Sequence, residues 1–264
     1  MIIDIHGHRP GRQGLDVPGF QWRLTSLPDG DISPDDVARI LRESAIDRMI
    51  LSPTAEDMGP TAGQMRSGNR RVAELVRKYP DLFYAYCSVN PHYLPESLEE
   101  MEYTVHELGF VGIGEICPHV LDFEIDSREV RAIVEKAVEL DVPLNIHSSE
   151  PTHFRGLARL AKEYPTARIV MSHLGGFRFW RDGIAAIEPF DNVWTDCSAW
   201  VMCTMGAFET AVTTLGARRV LFGTDFPLCE LDMAAYKLQH SGLSSADRER
   251  VASKNAIELF RLAL

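Results

Sequence analysis

Ile2-Ile3-Asp4-Ile5-His6-Gly7-His8 opens the chain, and its reading sets the rest. The β-branched run up to Ile5 marks a strand. A strand sends residues i and i+2 to one face, so His6 and His8 project together from its end. Two imidazoles held that way are a ready pair of metal ligands. Later apolar runs close on residues of the same kind: Glu115, His147, His173 and Asp225.

Strand-like runs recur at 2–6, 48–51, 82–89, 110–116, 143–147, 168–173, 192–196 and 219–223. Segments of helical spacing lie between them. The first helix opens at Ser33-Pro34, with Asp36 three residues after the cap. Further helices are expected at 64–79, 95–108, 127–140, 153–164, 177–187, 203–215, 231–240 and 245–262. Proline or glycine stops several of them, and Ser244 with Asp247 resembles a capping box at the start of the last. Strands alternating with helices give a parallel sheet. Eight of them in 264 residues fit a single-domain (β/α)8 TIM barrel spanning 1–264. An open doubly wound sheet is the alternative, weakened because no Gly-rich dinucleotide fingerprint follows the first strand. Two long connections, 7–32 and 52–63, would emerge at the C-terminal end of the strands, where active sites of this fold sit.

Bulk properties exclude several classes. Hydrophobic residues are 45% and charged residues 25%, an ordinary balance for a globular chain. A net charge of −11 argues against a nucleic-acid partner, because phosphate binding wants a basic face. It still permits a small anionic substrate, since a metal and a few arginines can reverse the field in one pocket. No stretch is long and apolar enough to span a bilayer, and no signal peptide is read at the N-terminus. The five cysteines are odd in number and widely spaced, so a reduced, cytoplasmic protein without a disulfide frame is expected.

In a barrel, strand ends converge and alternate residues point inward. Counting back gives inward sets: Glu115 with Val111 and Ile113, His147 with Asn145, His173 with Ile169 and Met171, and Asp225 with Leu221 and Gly223. Each candidate also has an ordinary structural reading. A lone strand-end histidine is more often a hydrogen-bonded structural residue. A lone aspartate there caps a loop, and a buried glutamate pairs with an arginine. Packing alone does not account for six ligand-type residues at the ends of five strands. Mixed imidazole and carboxylate ligands suit a divalent ion such as Zn, Mn or Fe, with Zn the first expectation. His106 and His240 read as solvated helix residues, and His92, His119 and His153 as loop residues near the mouth. Cys87, Cys117 and Cys197 read as small apolar fillers.

These motifs resemble the amidohydrolase superfamily, specifically its amidohydrolase-related branch. Besides the paired histidines, the resemblance rests on Tyr79-Pro80-Asp81-Leu82-Phe83 within 69–91 and on Ser172-His173-Leu174-Gly175-Gly176. It extends to Val220-Leu221-Phe222-Gly223-Thr224-Asp225-Phe226-Pro227 and Asn255-Ala256-Ile257-Glu258-Leu259-Phe260, and so covers essentially the whole chain. It implies that His6 and His8 bind a catalytic metal with Asp225, that His147 is a further ligand, and that His173 binds a second metal or contacts water or substrate. Many relatives carry a lysine motif on strand four. This chain has Gly112-Ile113-Gly114-Glu115-Ile116, which looks more like the TatD-like metal-dependent hydrolases, where a glutamate bridges two ions. With Glu115 bridging, one ion takes His6, His8 and Asp225 and another His147 and His173. Without bridging, a single ion takes His6, His8, His147 and Asp225.

The first functional expectation is hydrolysis of a small carboxylic ester, lactone or amide through a metal-activated water. Asp225 would take the proton of that water and pass it to the leaving group, and His173 would polarise the carbonyl or fix the water. Arg9 and Arg12 follow the histidine pair and would hold a substrate carboxylate as planar forks, although either alone is more often a solvated loop charge. Metal-dependent, non-oxidative decarboxylation of an aromatic or unsaturated acid is the second reading. A TatD-like nuclease and a non-catalytic ligand-binding barrel are the others. The family often forms dimers, so the resemblance implies a homodimer.

Overall fold

The computed structural model describes residues 1–9, 16–17, 20–21, 33–54, 58 and 61–264. Eight parallel strands pair in sequence order: β1 Ile3–His8, β2 Arg48–Ser52, β3 Phe83–Cys87, β4 Gly112–Ile116, β5 Leu144–Ile146, β6 Ile169–Met171, β7 Val193–Asp196 and β8 Val220–Leu221. Backbone hydrogen bonds close the ring between the first and last strands and the segment after β8. Ile5 N–H donates to Phe222 O (3.0 Å), Asp225 N–H to His6 O (2.7 Å) and His8 N–H to Phe226 O (2.6 Å). The architecture is the expected (β/α)8 barrel, and each strand falls within a few residues of its expected place. In the 10–32 connection the described part is a short antiparallel pair, Asp16–Val17 against Phe20–Gln21. Arg12 lies outside the described residues.

The helices form for the reasons the sequence offers. Ser33 Oγ accepts the Asp36 N–H (3.1 Å) at the start of α1, Pro34–Glu43. Thr61 caps α2, Ala62–Lys78, and Ser127 caps α4, Arg128–Glu139, in the same way. α3, Leu94–Leu108, stops at Gly109, whose φ of 69° favours glycine. α5 is Pro151–Glu163, α6 Trp180–Ile187, α7 Ala207–Leu215 and α8 Leu231–Gln239. Two expectations shift. The helix expected from 203 is a 3-10 turn, Ala199–Cys203, and α7 begins only after Gly206. The last helix breaks into Ser245–Glu249, a π-helical turn Arg250–Lys254, and Asn255–Phe260.

Two apolar layers result. The larger lies between strands and helices and joins Met49, Phe83, Leu144, Met171 and Val220 to helix residues such as Val72, Ile133 and Leu157. The smaller fills the barrel from below, where Ile3, Ile5, Ile50, Tyr86, Val170 and Leu221 meet Ala256, Leu259 and Phe260 of the terminal helix. This layering corrects two inward sets. Val111 and Leu221 do belong to the inner cluster, but Ile113, Ile169 and Met171 belong to the outer one. The β4 register shifts between Ile113 and Ile116, so simple alternation fails before Glu115. β6 ends at Met171, and His173 (φ 60°) follows in a left-handed turn rather than in the strand.

Candidate metal centre

The strand ends bring all six expected ligand-type residues together. Glu115 is central, only 4% exposed, and its backbone N–H is held by Ser52 Oγ from β2 (2.9 Å). Its Oε1 lies 2.9 Å from His147 Nδ1, 3.2 Å from His173 Nε2 and 3.5 Å from His6 Nε2. Its Oε2 lies 3.4 Å from His8 Nε2 and accepts the Cys117 thiol at 3.1 Å. Asp225 Oδ1 lies 3.2 Å from His8 Nε2 and 3.7 Å from His6 Nε2. Three overlapping sets, His6/His8/Asp225, His6/Glu115/His173 and Glu115/Cys117/His147, each hold their ligand atoms within 4.8 Å of one another.

The side chains behind these atoms decide what the site can hold. His6 Nδ1–H donates to Asp196 Oδ2 (3.0 Å), and His8 Nδ1–H donates to the carbonyl of Pro53 (3.0 Å). Both rings thus turn Nε2 towards the carboxylates. His6 Nε2 is buried and has no hydrogen-bond partner among the described residues. A neutral His6 would aim a lone pair at the oxygens of Glu115 and Asp225. Acceptors facing acceptors in a buried pocket need a cation between them. Without a metal, protons fill that role. Burial opposes charge on His6, yet the carboxylates of Glu115 and Asp196 outweigh it and hold its pKa well above the usual imidazole range. Desolvation also opposes charge on the partly buried His8, but hydrogen bonds to Asp225 and Glu115 carry its pKa up to about 10. Burial works the other way on Glu115, but the charges of His6 and His147 keep its carboxyl well below the ordinary value. The donor chemistry fits a divalent cation that replaces those protons.

The family model described as Amidohydrolase matches residues 3–262. The chain belongs to the amidohydrolase family. Relatives of this amidohydrolase include the gamma-resorcylate decarboxylase of Polaromonas sp., 25% identical over 99% of this chain and 94% of the relative. A 2-keto-4-carboxy-3-hexenedioate hydratase of Sphingobium sp. is 28% identical over 67% of this chain and 66% of its own. Among solved structures, the dihydroxybenzoic acid decarboxylase of Polaromonas sp., with bound manganese and the inhibitor 2-nitroresorcinol, superposes with a TM-score of 0.75. It is 22% identical and covers 99% of this chain and 97% of its own, a likeness of fold.

The amidohydrolase site also contains residues that the sequence reading passed over. Asp196, at the end of β7, is fully buried behind His6, and its carboxyl is drawn down to about 2: burial opposes ionisation, but His6 prevails. Ser198 Oγ accepts from His173 Nδ1–H at 2.7 Å. Asp4 accepts the backbone N–H groups of His6 (2.9 Å) and Thr224 (3.0 Å), tying β1 to the loop that carries Asp225. Cys117, read as an apolar filler, bonds to Glu115. Asp196 closes the seventh apolar run as Glu115 closes the fourth, so the same rule reaches it. His119 lies in the short helix Pro118–Leu121 and packs at a 45° tilt against His147, with ring centroids 4.1 Å apart. His153 lies on α5, 6.1 Å from the His147 ring. Arg9 directly follows β1, and its backbone N–H donates to Ser52 O (2.9 Å).

Proposed function

We propose that this amidohydrolase is a divalent-metal-dependent decarboxylase that removes CO2, without oxidation, from a hydroxylated aromatic or an unsaturated carboxylic acid. The observation that carries this reading is the match, along almost the whole of both chains, to gamma-resorcylate decarboxylase. The strand-end cluster supplies a place for the chemistry. The hydrolytic reading expected from the sequence gives way here, because the whole-length relative is a decarboxylase and the shorter match a hydratase, neither of them a hydrolase by name. Zn loses its place as first expectation as well. Manganese is bound in the Polaromonas enzyme, and imidazole with carboxylate suits Mn as well as Zn.

His6, His8 and Asp225, with His147 and His173, would hold the cation. Glu115 would either bridge to a second ion or remain a hydrogen-bonding partner of the histidines. A bound divalent ion supplies fixed positive charge against the oxygens of the acid. Asp225, in its protonated form, gives its proton to the carbon that bears the carboxylate. The carbon–carbon bond breaks, its electron pair stays with that carbon, and neutral CO2 leaves. The Asp225 carboxylate regains a proton from water at the mouth. Arg9, with Arg12 three residues on, is our candidate to hold the substrate's carboxylate.

The test incubates the Mn- or Zn-loaded protein in D2O with 2,6-dihydroxybenzoate, other hydroxybenzoates and unsaturated diacids, and with a panel of esters, lactones and amides. CO2 release with one deuterium on the carbon that lost its carboxylate is expected, and chelation should abolish it. Acid release from the ester, lactone or amide panel without CO2 would restore hydrolysis. Water addition to an unsaturated acid would assign a hydratase. Saturable binding with no turnover in any arm would leave a ligand-binding barrel.

A further inference from the structure

We infer that Asp196 is a positioning residue of this site, one carboxylate that orients two imidazoles, His6 through one oxygen and His173 through the other by way of Ser198. The inference rests on the reading of His6 and His173 as metal-facing. Asp196 stands at the end of β7 and reaches His6 on β1 across the line of β8. Gly223 lets it through: a Cβ there would lie 2.9 Å from the Cβ of His6 and 3.2 Å from the Cβ of Asp196. Asp196 Oδ2 accepts His6 Nδ1–H at 3.0 Å. Its Oδ1 accepts the backbone N–H of His173 (3.0 Å), the backbone N–H of Ser198 (3.0 Å) and the Ser198 hydroxyl.

That last bond sets the second ring. With its proton committed to Asp196, Ser198 Oγ can only accept from His173, so Nδ1 of His173 is the donor and Nε2 turns to the site (Nδ1 to Oγ, 2.7 Å). One carboxylate therefore decides which nitrogen of both rings faces the cation. An acidic partner behind a metal-facing histidine fixes its orientation and raises its donor strength. Asparagine cannot replace Asp196. One of its two terminal atoms donates, so it would confront either His6 Nδ1–H or the three donors around Oδ1.

The test reads proton resonances and metal affinity, not turnover. In 15N-histidine-labelled wild type, with and without Zn2+, the Nδ1–H protons of His6 and His173 are expected as downfield, exchange-protected signals. Asp196→Asn should lose the His6 signal, disturb that of His173, and weaken Zn2+ and Mn2+ binding about 10- to 100-fold in chelator competition. Ser198→Ala should lose the His173 signal and leave His6 bonded to Asp196, and Gly223→Ala, which crowds both His6 and Asp196, should disturb both signals. Wild-type signals and affinity in Asp196→Asn would overturn the inference. If that variant does not fold, an unchanged His173 signal in Ser198→Ala would overturn it alone. Wild-type protein that takes up no metal would defeat the metal reading, while the signals of the metal-free protein would still decide the role of Asp196.

Discussion

The two ends of the barrel use polar side chains in opposite ways. At the N-terminal end of the strands, each bond fastens a piece of chain. Arg219, just before β8, donates to the carbonyls of Val193 (2.8 Å), Glu188 (3.0 Å) and Ile187 (2.6 Å). Asn255 Nδ2 holds the carbonyls of Ala217 (2.6 Å) and Val220 (2.7 Å), and Arg168 reaches Leu259 O (3.2 Å). The Arg219 bonds tie the start of β8 to β7 and the end of α6, and those of Asn255 and Arg168 secure the terminal helix that plugs the barrel. At the C-terminal end, His6, His8, His147, His173, Glu115 and Asp225 face one another across a gap, and a buried acceptor is left over. The lower-rim groups named here each find a partner in the chain, whereas the upper rim sets acceptors against acceptors and balances when a cation joins it. That division matches the separation of stability and catalysis between the two faces of such barrels.

The sharpest way to break the comparison is at Asp225. Asp225→Asn in the metal-loaded protein should lower kcat about 10²- to 10⁴-fold, the usual range for losing a general acid or base. The melting temperature of the metal-free protein should fall only modestly, since His8 loses one of its two carboxylate partners and keeps Glu115. Unfolding in parallel with lost activity would put Asp225 in the same class as the lower rim. The converse variant is Arg219→Met. Three carbonyls lose a charged donor, so a destabilisation of roughly 2–3 kcal/mol is expected by urea titration. Turnover per folded molecule should not change, and a fall in kcat would mean that the two rims communicate.

The same division governs what could be read beforehand. All eight strands were legible because each is an apolar run closed by proline, glycine or a polar residue. The ligand-type residues were legible because they end those runs. Asp196 obeys the same rule but was read only as the last residue of its strand. Its meaning comes from Gly223 and His6, which are distant in sequence. The inward sets failed where the period-two pattern is interrupted, at the β4 register shift and at the left-handed turn after Met171. Cys117 has the composition of a filler, and only the turn after β4 brings its thiol to Glu115. The delayed start of α7 follows from the left-handed Gly206 (φ 78°), a conformation that apolar periodicity does not reveal.

The smallest effect sharpens the contrast from below. Asp141 pairs on the lower rim with Arg261 and Arg168. The hydrogen bond from Arg261, ahead of the nearby charge of Arg168, holds its carboxyl below the usual value. A carboxyl lowered in the folded state contributes stability above its unfolded pKa of about 3.9 and loses it as pH falls through the folded value. The pair is exposed, so the contribution is small and screened by salt. Asp141→Asn should therefore lower the melting temperature slightly at pH 7 in dilute buffer. The difference from wild type should shrink in 1 M salt and close as pH drops well below 3.9, where both side chains are neutral. A gap that persists in acid and high salt would show that Asp141 acts through the fixed geometry of its neighbours rather than its charge. The lower rim would then resemble the upper one more than the hydrogen bonds suggest.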